Sequence, residues 1–307
     1  MGGPVTRSIS LGTASSVSLS AGEVRYWTTG SGPAVVFVHG VLANAELWRN
    51  VVPRVAAAGY TCIAPDWPLG AHVVPMRADA DLRPGAVAGL VTEFLDVLDL
   101  EDVTLVANDA GGAITLLLVA NGADRVGRIV LTSGDCFEYF FPRIFWPLQV
   151  LPRIPGGLTA LIHAMRLRPL HRLPMAFGRL TKRPMSPQAT DHYLLPSRHD
   201  RLIRRDLRRF LLGVDNRLTL DAATRLHNFD RPVLLAWSAE DKLFPISLAH
   251  RLAAIFPDAT VRPIDDSFTF SPEDQPDQLA DMISGFLTTD AGYRRPRRAT
   301  ARPSDVG

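Results

Sequence analysis

The chain has 307 residues, 47% of them apolar and 21% charged, with a formal net charge of +2. These values suit one folded body with a sizeable core, of one or two domains, and exclude a disordered or strongly charged chain. Only Cys62 and Cys136 occur, without zinc-ligand spacing, and no run of about 18 uninterrupted apolar residues appears, so a disulfide scaffold, a metal site and a membrane span are all excluded.

The first 30 residues alternate apolar and polar positions around Ala21-Gly22-Glu23, which predicts an antiparallel hairpin. Short apolar runs follow at 34–38, 61–65, 103–107, 128–132, 233–237 and 260–264, the form of buried parallel strands. Helical patterns lie between them at about 45–57, 84–99, 111–122, 246–255 and 276–288. The alternation predicts an α/β fold, a mostly parallel sheet with helices on both faces.

The regular alternation stops near Phe140 and resumes near Arg231. Residues 1–139 and 229–290 therefore read as two parts of one core, 140–228 as an inserted helical cap, and 291–307 as a disordered basic tail. Residues 141–212 carry fourteen Arg and Lys against Asp191, Asp200 and Asp206. No nucleic-acid motif accompanies this charge, which fits solvated helix faces. The N-terminus lacks an apolar signal region, so a cytoplasmic location is expected; the Met1-Gly2 start has a formal myristoylation pattern of the kind that arises by chance. No feature fixes the oligomeric state.

The segment 104–114, TLVANDAGGAI, is a strand that runs into small residues and then a helix. Ala107, Asp109, Gly111 and Gly112 occupy the small-x-nucleophile-x-small places of a tight strand-to-helix elbow, which presents Asp109 at the carboxyl edge of the sheet and at a helix N-terminus. An aspartate before Gly-Gly-Ala also has the form of a simple N-cap, and the sequence leaves both readings open. Strand 34–38 ends in His39-Gly40-Val41, which places the backbone N–H groups of Val41 and Ala110 as an expected oxyanion pair. Asp241 follows the strand 233–237, where a catalytic acid is expected.

With these motifs the chain resembles the α/β-hydrolase superfamily, in the branch of epoxide hydrolases and haloalkane dehalogenases that attack with aspartate; the likeness covers roughly 20–140 and 230–288. It implies an α/β-hydrolase fold, no cofactor, and a nucleophile, acid and histidine in that chain order. Asp109 and Asp241 take the first two places. The histidine position, counted back from Glu273-Asp274-Gln275-Pro276, is occupied by Thr269. The dehalogenase halide-holding side chains are replaced by Val41 and Ala110, and the paired cap tyrosines of epoxide hydrolases have only Tyr139 and Tyr193 as candidates.

An ordinary carboxylate is ionised at pH 7 and attacks without a base, whereas hydrolysis of the resulting ester needs one. Asp265, Asp266, Asp135 and His72 are the candidate replacements. His39, Trp67, Asp135, Tyr139 and Trp146 are expected to line a pocket for a small apolar substrate. Three functions stay open: an Asp-nucleophile hydrolase acting on an epoxide or related electrophile, a reassigned isomerase, cyclase or lyase, and a non-catalytic binder.

Overall fold

The computed structural model describes residues 7–289; residues 1–6, with the acylation pattern, and the basic tail at 291–307 lie outside them. Eight strands form one sheet: β1 (Thr13–Leu19), β2 (Gly22–Thr29), β3 (Ala34–Val38), β4 (Thr61–Pro65), β5 (Val103–Asp109), β6 (Val126–Gly134), β7 (Val233–Ser238) and β8 (Ala259–Ile264), in the order β1-β2-β4-β3-β5-β6-β7-β8. The hairpin β1–β2 joins antiparallel to β4, and every later pairing is parallel. β5 and β6 are buried along their whole length, which is why they read as unbroken apolar runs rather than alternating ones.

The core helices are α1 (Val52–Ala57), α2 (Pro84–Val97) and α3 (Ala110–Ala120) before the insertion. Between β6 and β7 come α4 (Trp146–Val150), α5 (Gly157–Ala164), α6 (Pro187–His199), α7 (Arg201–Leu212) and α8 (Asn216–Ala223). The chain closes with α9 (Ser247–Ala253), α10 (Ser271–Asp274) and α11 (Pro276–Thr289).

Several element bounds differ from the sequence reading; β6, for one, spans Val126–Gly134 where 128–132 is expected. The helix expected at 45–57 is a 3₁₀ turn at Ala45–Trp48 followed by the separate α1. The Asn44 side chain accepts from the Glu46 N–H at 3.1 Å and closes the short turn, and Pro53 has no N–H to continue a ladder through it. β5 runs two residues past its expected end, because an irregularity between Ala107 and Asp109 lets Asp109 pair with Gly134 of β6.

The insertion is tied to the core by buried polar contacts. Ile203, Asp206, Leu207, Phe210 and Leu211 form the buried stripe of α7 at helical spacing. In its middle, the Asp206 carboxylate accepts from the Met76 N–H at 2.8 Å and meets His72 Nε2 at 3.3 Å. Arg49 grips Glu273 with two hydrogen bonds, at 2.7 and 2.8 Å, and the Tyr193 hydroxyl of α6 donates to the same carboxylate at 2.7 Å. Cys62 and Cys136 are free and buried, as small apolar fillers.

Candidate active site

Asp109 ends β5 and precedes α3 with φ at +55°, a left-handed conformation that an L-residue holds only under constraint. The backbone N–H groups of Val41 and of Ala110, the first residue of α3, face its carboxyl and favour the anion. The elbow needs its small residues for room: a methyl on Gly40 would collide with the Asp109 carboxylate, and one on Gly111 with the Val38 carbonyl.

In front of Asp109 lies a cavity of about 940 Å³, counting its solvent mouth, between the sheet edge and the insertion. Its wall is apolar, with Phe141, Phe145, Leu161, Phe177 and Leu180 prominent, and among the described residues Asp109 is the one ionisable side chain on it. Burial pushes the Asp109 carboxyl up to about 7, against the two N–H donors, which favour the anion; the charge of Asp241 raises it further. The expectation of a fully ionised Asp109 at neutral pH is thereby corrected, since the group is divided between acid and carboxylate there.

Asp241 is buried just beyond β7, and burial lifts it to about 6 although its Oδ1 accepts from the N–H groups of Leu243 at 2.7 Å and Phe244 at 3.0 Å. The Thr269 hydroxyl donates to the same oxygen at 3.2 Å. Thr269 therefore sits against the acid, where the resemblance puts a histidine, and offers a hydroxyl that is not basic. Asp135 is buried beside Asp109, its backbone N–H donating to the Asp109 carbonyl at 3.2 Å; neither of its carboxyl oxygens has a hydrogen-bond partner among the described residues. Burial, and then the charge of Asp109, hold the Asp135 carboxyl well above the usual range.

The other expected pocket residues lie elsewhere. His39 is locked as a neutral ring, with Nδ1 on the Gly40 carbonyl at 2.9 Å and Nε2 accepting from the Trp67 N–H at 2.9 Å; burial drives it down to about 4. Trp67 is core, its indole N–H donating to the Phe37 carbonyl at 3.0 Å. Tyr139 faces a separate polar cleft with Arg143 and Lys242, and Trp146 is 53% exposed. None of His39, Trp67, Asp135, Tyr139 and Trp146 belongs to the cavity wall, because the sheet edge and the segments between β6 and β7 fill that wall with other apolar side chains.

Among the candidate bases, His72 is held by Asp206, and Asp266 by Lys182 and Arg183. Asp265 is exposed on the loop after β8. No group of three or more His, Cys, Asp or Glu among the described residues has the form of a metal site.

Asn108 was missed by sequence reasoning. Its amide reaches Thr132 Oγ1 at 2.7 Å, the Ser133 carbonyl at 3.2 Å and the Thr269 carbonyl at 2.7 Å, and so fastens the elbow to β6 and to the Thr269 loop. Its one signal is a polar amide at the end of an apolar strand.

Comparison with known proteins agrees with this architecture. The family model described as alpha/beta hydrolase fold matches residues 33–276. Haloalkane dehalogenase 2 of Mycobacterium tuberculosis is 26% identical over 280 residues, which cover 86% of this chain and 91% of that protein. Among solved structures, the epoxide hydrolase CorEH superposes with a TM-score of 0.74 at 19% identity, covering 90% of this chain and 99% of that one. The haloalkane dehalogenase DbeA of Bradyrhizobium elkani gives 0.72 at 22% identity, covering 90% and 98%. With its parallel sheet, its strand-to-helix elbow and the match over 33–276, the chain belongs to the alpha/beta hydrolase fold family and resembles that family's haloalkane dehalogenase and epoxide hydrolase branch.

Proposed function

We propose that the chain is a hydrolase for a small apolar electrophile, an epoxide or a close chemical relative, attacked by the Asp109 carboxylate beneath a cap formed by residues 140–228. One observation carries this reading: the Asp109 carboxyl stands at the wall of an apolar cavity with the Val41 and Ala110 N–H groups aimed at it. Attack makes a bond from a carboxylate oxygen to the substrate carbon while the bond to the leaving oxygen breaks, and that oxygen takes a proton from water at the cavity mouth. Water adding to the carboxyl carbon of the ester would then place negative charge on the oxygen that the two N–H groups hold, and collapse returns Asp109 and an alcohol. A group serving only as a base gains nothing from two such donors, which lower its basicity.

Thr269 cannot take a proton from the attacking water, so the second step is slow and the ester accumulates. Incubation with an aryl epoxide in heavy-oxygen water checks this. The expected result is an intact-mass increase equal to the epoxide, localised to the peptide holding Asp109, with heavy oxygen entering that carboxyl on slow diol release. A varied epoxide panel that gives neither adduct nor diol rejects the reading.

A second reading rests on the value of about 7 for Asp109, which suits a group that both donates and accepts a proton at neutral pH. Asp109 would then act as general acid and base in an isomerisation, cyclisation or elimination. That chemistry turns over without taking oxygen from solvent and leaves no adduct.

A further inference from the structure

We propose that the outer face of the insertion, residues 146–175, docks on an anionic lipid surface and brings the mouth of the Asp109 cavity against it. Ten large apolar side chains are exposed in the described residues, and six of them fall in this 30-residue stretch: Trp146, Val150, Ile154, Leu167, Leu173 and Met175. Such a concentration is unlike the scattered exposed apolar residues of an ordinary surface. α4, the 3₁₀ turn Leu151–Arg153 and α5 all pack on α7, so Trp146, Val150 and Ile154 stand on or beside neighbouring pieces of one layer; Leu167, Leu173 and Met175 follow α5 in the chain.

Charge selects the occupant. Residues 139–190 contain no Asp or Glu and eight Arg or Lys. Lys182, Arg183 and Arg168 are paired with carboxylates from elsewhere, whereas Arg143, Arg153, Arg166, Arg172 and Arg179 have no carboxylate partner among the described residues. Apolar side chains interleaved with unpaired arginines match the two layers of a lipid interface, acyl chains and anionic headgroups. A partner protein would need acidic groups interleaved with apolar ones in the same pattern, and makes an alternative outcome of the test.

The patch is continuous with the cavity. Leu173 and Met175 are 42% and 43% exposed, and both also line the space in front of Asp109. An apolar molecule dissolved in the bilayer would therefore enter without crossing water. The inference does not depend on the chemistry assigned to Asp109, and Asp109→Asn is expected to leave docking intact.

Four of the five tryptophans are buried and Trp146 is the exposed one, which makes it a reporter. The full chain is mixed with vesicles of phosphatidylcholine containing 30 mol% phosphatidylglycerol, with and without brominated acyl chains. The expected result is a blue shift and quenching of tryptophan emission by the brominated lipid, with at least tenfold weaker binding to pure phosphatidylcholine and a loss as salt is raised. In flotation, Ile154→Ser with Leu167→Ser should lower vesicle binding at least tenfold while the melting temperature is kept. Serine at Arg294, Arg295, Arg297 and Arg298 of the tail should leave the quenching in place. Absence of quenching, equal binding to neutral vesicles, dependence on the tail arginines alone, or a dimer that shields Trp146 in solution would each overturn the proposal.

Discussion

At Asp109 two opposing demands meet. Burial against an apolar cavity penalises the anion, two backbone donors favour it, and the balance lies at about 7. Only the ionised form attacks carbon, so the alkylation rate should fall about tenfold per pH unit below 7 and level off above 8, as read by intact mass at short times. A half-point near 4 would reject the environment described for this carboxyl. Thr269 bears on the second step. Thr269→His places an imidazole against Asp241, and the resulting base should speed ester breakdown by about 10²- to 10⁴-fold, seen as diol release with the adduct no longer persisting. The places of Asp109, at the end of β5, and of Asp241 and Thr269, after β7 and β8, could be counted from the sequence because strand ends fix them. The pocket residues could not be, because His39, Trp67 and Asp135 follow strands too but turn into the core, and the side chains that build the wall come from the insertion, which has no strand register to count from.

The elements were legible where burial is one-sided or complete. The unbroken apolar runs of β3 to β7 left little choice of period, and α3 is buried on every side from Ala110 to Val119. The helix at 45–57 failed because an asparagine cap and a proline act locally against a sound apolar pattern. α7 depends on one polar anchor in its apolar stripe. Burial pushes the Asp206 carboxyl up, but hydrogen bonds from His72, the Met76 N–H and Arg205 outweigh it and hold the group below its ordinary value. Asp206→Ala would leave the Met76 N–H and His72 unpaired in the interior and cost about 3 kcal/mol, read as a lowered denaturant midpoint. The sign of the linkage makes that contribution present above pH 4 and lost as pH falls below it, so wild type and variant should converge in stability in acid.

For the whole molecule, the three buried carboxyls at the centre set a stability profile unlike that of most proteins. Asp109, Asp135 and Asp241 all bind protons more tightly folded than unfolded, so each adds stability at low pH that is lost as pH rises through its folded value. His39 acts in the other direction, since its folded value of about 4 lies below the unfolded one and penalises the native state below pH 6.5. Between these limits the carboxyls dominate, and the melting temperature should rise as pH is lowered from 8 to 6.5. Asp109→Asn removes a charge that is costly to bury and should raise stability at pH 8 by about 3 kcal/mol. A variant no more stable than wild type at pH 8 would show that the carboxylate carries no such burden.

The amides of Val41 and Ala110 have a consequence for how this protein is found. In a serine esterase such a pair waits for the oxygen of an incoming acyl group, and phosphonate fluoride reagents exploit that welcome. Here both amides already hold the protein's own carboxyl, and the elbow carries no hydroxyl to be phosphonylated. Activity-based labelling with fluorophosphonates should pass this chain by, while a tagged epoxide should mark it at a single aspartate.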